Sequence, residues 1–346
     1  MEKIELDDIL LKYNLKCIDF QKIDTGYINQ TFKVETNEGP FVVQRINPEV
    51  FLYSDRIVHN ENMLREFLHS NQINNFLVPI RQTVDGDNFL VNDRIVWRET
   101  LFMDKLYSPL VIESVFTAFS LGKKIREFHN LTSLVDVSIF EEIIPNFHNL
   151  NFRYEQYRTA FLAADNIRKQ SVLELIKQID DFSWLIEEYN QMIQPNHTTK
   201  ILCHNDTKIS NTLTDTATGE VRYLIDLDTI MPGYSFNDIG DAVRAGCSRS
   251  DESETDVGKV IFDHDLFDAI LDGYLADEQK NDLKQKRGHL EQGALIMLYM
   301  QALRFLTDYL NGNVYYQVKY EEQNAIRARN QLILLNQLND YLKTNH

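Results

Sequence analysis

Two short apolar strands, each running directly into a polar loop that carries an acid, constrain this chain more than any other feature. Ile201-Leu202-Cys203 leads into His204-Asn205-Asp206-Thr207-Lys208-Ile209-Ser210-Asn211, and Leu224-Ile225 leads into Asp226-Leu227-Asp228. Between them Gly219 marks a hairpin turn joining a strand at Thr212–Thr214 to one at Val221–Leu227, so Asp226 is expected to return beside Asn211. Phosphoryl transfer needs this order of parts: a carboxylate to take the acceptor hydroxyl's proton, and two oxygen ligands to hold Mg²⁺ on a nucleotide's phosphates. Asp206 is the candidate base, and Asn211 and Asp226 are the candidate metal ligands. A lone His-x-Asp recurs by chance, and Asp226-Leu227-Asp228 alone also suits a glycosyltransferase holding a metal–sugar nucleotide. The two together, in this order, predict a small-molecule kinase.

The 346 residues exceed what one small core needs and suit two domains, or one domain with two lobes. With 35 basic against 52 acidic residues the net charge is −17, which argues against nucleic acid or an anionic membrane as partner, because a phosphate backbone is bound through neutralising Lys and Arg. A phosphate ligand is still allowed, since a bound metal reverses the local sign. Cys17, Cys203 and Cys247 lack metal-ligand spacing, so neither a zinc site nor a disulfide framework is expected. The N-terminal Met-Glu-Lys-Ile-Glu-Leu-Asp-Asp lacks the basic-then-apolar order of a signal peptide, and no apolar run approaches a membrane span. A cytoplasmic location is the expectation.

Residues 4–16 read as an amphipathic helix on Ile4, Leu6, Ile9, Leu10 and Tyr13. Strands at Cys17–Ile23, Gln30–Glu35 and Phe41–Ile46 follow, then a helix from Ser54, as N-cap, to His69, then strands at Val78–Gln82, Asn88–Val91 and Arg94–Phe102. This is the order of a kinase-like N-terminal lobe. The turn carrying Gly26 and Asn29 is expected over the nucleotide phosphates, although it lacks GxGxxG and a plain hairpin turn fits it as well. Arg45 alternates with Val43 on one strand face, which would set Val43 against adenine and Arg45 near the phosphates. A solvent-facing Arg competes with that reading, and Gln44, on the other face, is the rival position. Glu61 or Glu66 is the expected partner of Arg45, with a solvated helix face as the plainer alternative. Backbone groups from Thr100 to Met103, Phe102 among them, are the natural partners for an adenine edge.

Beyond Pro109 the pattern turns helical, over Val111–His129, 150–165, 170–193 and 289–311. The expected fold class is therefore α+β: an N-terminal nucleotide-binding lobe at 1–102 with an antiparallel sheet and a helix, and a mainly α-helical lobe at 103–346 that carries the catalytic hairpin and the acceptor site.

HNDTKISN (204–211), LIDLDTIMPG (224–233) and FNDIGDAVRAG (236–246) resemble the catalytic loop and metal strand of the aminoglycoside phosphotransferase/choline kinase superfamily. Together with DTGYINQTFKV, FVVQRIN and RFLTDYLNGNVYYQVKYEEQNAIRARNQ (304–331), they resemble more narrowly the N-acetylhexosamine 1-kinases, over most of the chain. The resemblance implies a protein-kinase-like two-lobed fold, ATP and Mg²⁺ as cofactors, and transfer to the anomeric hydroxyl of N-acetylglucosamine or N-acetylgalactosamine. It makes Asp206 the base and an acceptor contact, Asn211 and Asp226 the Mg²⁺ ligands, Lys208 a phosphate neighbour, and Arg304 and Tyr315 acceptor contacts. An Arg fork and a Tyr suit a sugar's hydroxyls and amide carbonyl. On the residues alone, Arg304 reads as an ion pair with Asp308 and Tyr315 as a core aromatic. The same fold also serves choline, an aminoglycoside or a homoserine-like acceptor, and a net charge of −17 would attract a cation.

Overall fold

The computed structural model describes residues 3–23, 28–279 and 282–345. The chain separates into two compact units. Unit 1 holds 1–106, 138–145 and 223–231, and unit 2 holds 107–137, 146–222 and 232–346.

Unit 1 begins with α1 (Lys3–Leu11) and three antiparallel strands, β1 (Cys17–Ile23), β2 (Gln30–Thr36) and β3 (Gly39–Arg45), followed by α2 (Ser54–Ser70), β4 (Phe89–Asn92) and β5 (Ile95–Leu101). The sheet runs β1-β2-β3-β5-β4. Period-two alternation puts Phe32, Val34, Phe41, Val43 and Trp97 on one face, where Leu6, Leu10 and Tyr13 cover them as a closed apolar cluster. Ser54 does not cap α2; its hydroxyl donates to the Arg94 carbonyl, and Tyr53 stands at the N-cap without a side-chain bond. The segment Val78–Gln82 makes one bridge, Ile80 to Thr100, instead of a strand. On α2, Asn60 holds the two inserted segments: its amide donates to the carbonyls of Glu141 and Ile230 at 2.8 and 2.7 Å.

One buried acid lies in the apolar row. Glu99 pairs with Val43 in the β3–β5 register, is 0% exposed, and neither carboxylate oxygen has a hydrogen-bond partner among the described residues. Burial pushes its carboxyl up to about 8, with the Arg81 charge opposing and Glu38 adding to the shift. A raised folded-state pKa stabilises below the unfolded value and is lost as pH climbs through the folded one. Between pH 6 and 8.5 the protein should lose about 2 kcal/mol of stability. Glu99→Gln should flatten that slope; thermal melts across the range that stay parallel for the two proteins would refute the buried protonated acid.

Unit 2 is mainly helical: α3 (Val115–Thr132), α4 (Leu150–Ala163), α5 (Asn166–Ser171), α6 (Leu173–Asp181), α7 (Leu185–Met192), α8 (Ser235–Gly246), α9 (His264–Leu275), α10 (Leu283–Leu310) and α11 (Gln323–Asn345). Ser114 caps α3 through the Thr117 N–H. The three short helices α5 to α7 replace the single stretch expected at 170–193. α10 is buried along most of its length and anchors the core. α3 and α9 cross where a Cβ on Gly122 or Gly273 would come within 1.9 Å of a backbone carbonyl, so only glycine allows that approach. The short strands are β6 (Leu106–Tyr107), β7 (Ile201–Cys203), β8 (Thr212–Asp215), β9 (Val221–Leu224) and β10 (Met231–Gly233); β8 and β9 form the expected hairpin, with Gly219 at φ 76°. Among the described residues no helix is long and apolar enough to cross a membrane.

Candidate active site

The loop after β7 takes its shape from a buried carboxylate. Leu202 and Cys203 are fully buried, and the backbone N–H groups of His204 and Asn205 both donate to Asp238 on α8, at 2.9 and 2.7 Å. The Thr207 hydroxyl donates to the Asp238 carbonyl. His129 on α3 bonds the same carboxylate through Nε2 at 2.8 Å, while its Nδ1 faces the Tyr274 hydroxyl. Burial alone would push the Asp238 carboxyl up, but the His129 hydrogen bond and the His204 backbone N–H hold it below the usual range. Asn205, at φ 65°, turns the chain, and its carbonyl accepts from His148 Nε2 at 2.9 Å.

This frame presents Asp206, whose side chain is 20% exposed. Lys208 Nζ and Asn211 Nδ2 both reach its Oδ2, each at 2.8 Å. Burial works against ionisation of Asp206, yet the Lys208 ammonium, with help from His204 and Arg244, holds the carboxyl below its ordinary value. The result is an ionised carboxylate able to accept from a hydroxyl. The amide nitrogen of Asn211 is committed to Asp206, which leaves its Oδ1 as the atom to offer a metal. Asp241, 3% exposed, takes both Nε and Nη2 of Arg244 on Oδ1 at 2.8 Å, and Oδ2 has no hydrogen-bond partner among the described residues.

A cationic corner lies on the same unit. Arg304 on α10 does not pair with Asp308. That carboxylate is occupied by the N–H groups of Val314, Tyr315 and Tyr316, at 2.8–2.9 Å. The Arg304 guanidinium instead lies over Phe147 and Tyr316, 5.0 and 5.7 Å from the ring centres, and donates to Gln301. No carboxylate pairs with it among the described residues. Burial and the Arg304 charge push Arg153 down to about 10 and His148 down to about 4, so His148 is neutral. Tyr315 is 62% exposed, not the core aromatic its residue type alone suggested.

In unit 1 the polar face of the sheet gathers the other charges. Arg98, the register partner of Gln44, sends Nη1 to Glu61 on α2 at 2.9 Å and to Asp228 Oδ1 at 2.7 Å, and Nη2 stands 3.7 Å from Asp226. Asn29 donates to Asp228 Oδ2 at 2.5 Å. Burial pushes the Asp228 carboxyl up to about 7, Arg98 opposing and Asp226 adding. Asp226 sits at φ 62°, with its side chain 30% exposed. Glu61 has a second partner in Arg65, at 2.6 Å, so three carboxylates face two guanidiniums. That surplus negative charge, with the Oδ1 of Asp228 lacking an aligned hydrogen bond, fits a divalent cation.

Several expectations are corrected by this geometry. Val43 is fully buried in the cluster that includes Leu6, Leu10 and Tyr13 of α1, and Arg45 points to the same side, over Trp97 at 5.9 Å and near Gln30. Glu61 pairs with Arg98 and Arg65 and not with Arg45, because β3 alternation puts Gln44 on the polar face. The Phe102 N–H is taken by the Pro40 carbonyl and the Met103 carbonyl by the Leu106 N–H, so those two groups are not open to adenine. Gly26 lies outside the described residues. Asn211 and Asp226 fall at the two ends of the hairpin path, in different units. Arg98, Asp238, His129 and His148 escaped the sequence reading. Asp238 had a signal: it is an acid on a helix whose Phe236, Ile239 and Val243 face the core.

Residues 117–281 match the phosphotransferase enzyme family (APH). The match, which covers just under half of the chain, supports an ATP-dependent phosphotransferase acting on a hydroxyl acceptor. Among solved structures it resembles a spectinomycin phosphotransferase in complex with ADP and spectinomycin, 15% identical with a TM-score of 0.66 over 98% of this chain and 99% of that one. A microcompartment-associated aminopropanol kinase is 13% identical, with a TM-score of 0.65 over 99% and 98%. An amicoumacin kinase in complex with AMP-PNP and Ca²⁺ is 13% identical, with a TM-score of 0.63 over 97% and 93%. These likenesses establish the shared α+β fold.

Proposed function

We propose that this phosphotransferase moves the terminal phosphoryl group of ATP, with Mg²⁺, to the anomeric hydroxyl of N-acetylglucosamine or N-acetylgalactosamine, giving the sugar 1-phosphate. ADP and AMP-PNP with Ca²⁺ in the similar structures support a nucleotide and a divalent ion. The metal would be held by Asn211 Oδ1 and Asp226, and when bound it neutralises charge on the phosphates. Asp206 takes the acceptor proton, Lys208 steadies the ionised Asp206 and neighbours the phosphates, and Asn29 fixes the metal segment through Asp228. Phe102 and Met103 remain the proposed adenine neighbours through their remaining backbone groups.

The observation that favours a sugar is the cationic corner. Arg304 has no carboxylate partner among the described residues, Arg153 lies beside it, and the neighbouring His148 is neutral. Like charge disfavours a cationic amine there, whereas an N-acetyl carbonyl or ring hydroxyls can accept from the guanidinium and Tyr315 can cover the ring. A second reading, an amine or aminoglycoside acceptor, draws on the net charge of −17 and on the antibiotic and amino-alcohol kinases it resembles.

ADP release with Mg-ATP should respond to N-acetylglucosamine or N-acetylgalactosamine in a panel that includes glucose, galactose, choline and kanamycin, and ³¹P NMR should find an anomeric phosphate. Turnover of amines alone would overturn the sugar reading. Arg304→Gln should raise the sugar KM by about 10- to 100-fold with kcat changed far less, the cost of one charged hydrogen bond made in the ground state. An unchanged KM would remove Arg304 from the acceptor site.

A further inference from the structure

In protein-kinase-type sites a lysine on the third strand pairs with a glutamate on the following helix. Here the β3 position facing α2 is Gln44, which is neutral, and Arg45 on the same strand points to the opposite face. Lys33, another cation on the polar face, is engaged by Glu35 at 3.0 Å and by the Phe102 ring at 4.3 Å. Arg98 fills the gap from β5. Gln44 Oε1 accepts both Nε and Nη2 of Arg98, at 2.8 and 2.5 Å, which orients the guanidinium as a fork. Its Nη1 then bridges Glu61 on α2 and Asp228, beside the left-handed turn at Asp226.

We propose that Arg98, oriented by Gln44, is the positioning residue that replaces a β3 lysine: it clamps α2 to the sheet and holds the 226–228 segment so that Asp226 presents its carboxylate to the metal–nucleotide. The inference rests on the proposed nucleotide-dependent function and adds the strand from which the charge is supplied. The geometry explains why β3 carries an amide: a lysine at position 44 would crowd a second cation against Arg98, while a glutamine satisfies two of its donors. It also accounts for charge: Glu61, Asp226 and Asp228 against Arg98 and Arg65 leave one negative charge, which a divalent ion reverses to a positive one facing the phosphates.

The test moves the charge back. Calorimetric titration with Mg-ADP should show binding to the wild type, a loss of at least about tenfold in affinity for Arg98→Gln, and recovery to within about threefold in Arg98→Gln/Gln44→Lys, where the lysine reaches Glu61 from β3. The Mg²⁺ concentration that half-saturates nucleotide binding should rise in the single variant and return in the double one, a response that a merely structural arginine would not give. If Arg98→Gln does not fold, Arg98→Lys replaces it, with an expected loss of about fivefold because the fork to Gln44 is gone. Equal affinity in the wild type and the single variant, or a folded double variant that does not recover, overturns the inference and leaves the kinase reading standing. A wild type that does not bind Mg-ADP overturns both.

Discussion

Asp206→Asn is expected to lower kcat by about three orders of magnitude while Mg-nucleotide affinity stays within about twofold of the wild type. The substitution keeps the shape and leaves the loop bonds in place, since His204 and Asn205 are held through their backbones by Asp238. It removes the one property that the site maintains against burial, an ionised oxygen supported by Lys208. The new amide also places donors where Lys208 and Asn211 already donate, so the acceptor hydroxyl loses its acceptor. Steady-state rates on the best acceptor of the panel, with nucleotide titration alongside, measure both quantities. A kcat within tenfold of the wild type would take Asp206 off the proton's path.

Asp238→Ala should cost about 3–5 kcal/mol of folding stability and take activity with it. The carboxylate is fully buried, and its loss leaves the N–H groups of His204 and Asn205 and the Nε2 of His129 without an acceptor. Asp238→Asn separates the two effects. One oxygen remains for one N–H, so more of the stability survives, but the amide NH₂ confronts a second donor and the loop cannot keep its turn at Asn205. Urea denaturation should rank the proteins wild type, Asn, Ala, and both variants should lose more than about a hundredfold in kcat. A fully active Asn variant would show that the loop keeps its shape without this carboxylate.

The candidate base and its loop were legible because the signal is local: an apolar strand, a polar loop, and an amide five residues on. The hairpin was legible for the same reason, through Gly219 and the alternation on either side of it. The N-terminal strands came out within a residue or two, since alternation over seven residues is a period-two pattern that few other structures share. The long helix at α10 was recognised but shortened, because Leu283 to His289 carries little apolar periodicity and is defined by what α10 packs on further along.

The charge facing α2 shows where local pattern stops. Alternation says that Val43 and Arg45 share one face of β3 and that Gln44 has the other; it does not say which face α1 will cover. That choice depends on Leu6, Leu10 and Tyr13 closing over Phe32, Phe41 and Val43, a contact between segments some thirty residues apart. Once made, it buries Val43, turns Arg45 away from the site, and brings Arg98 from β5, 54 residues further along the chain, into register with Gln44. Asp238 followed the same rule from 31 to 34 residues beyond the loop it shapes. Residue order thus determined the strands, the helices and the acid in the loop after β7, because each depends on near neighbours. The cation, the loop's anchor and the placing of Arg304 over Phe147 and Tyr316 were decided by tertiary packing, because a charge acts through distance in space, and the chain does not encode that distance in its spacing.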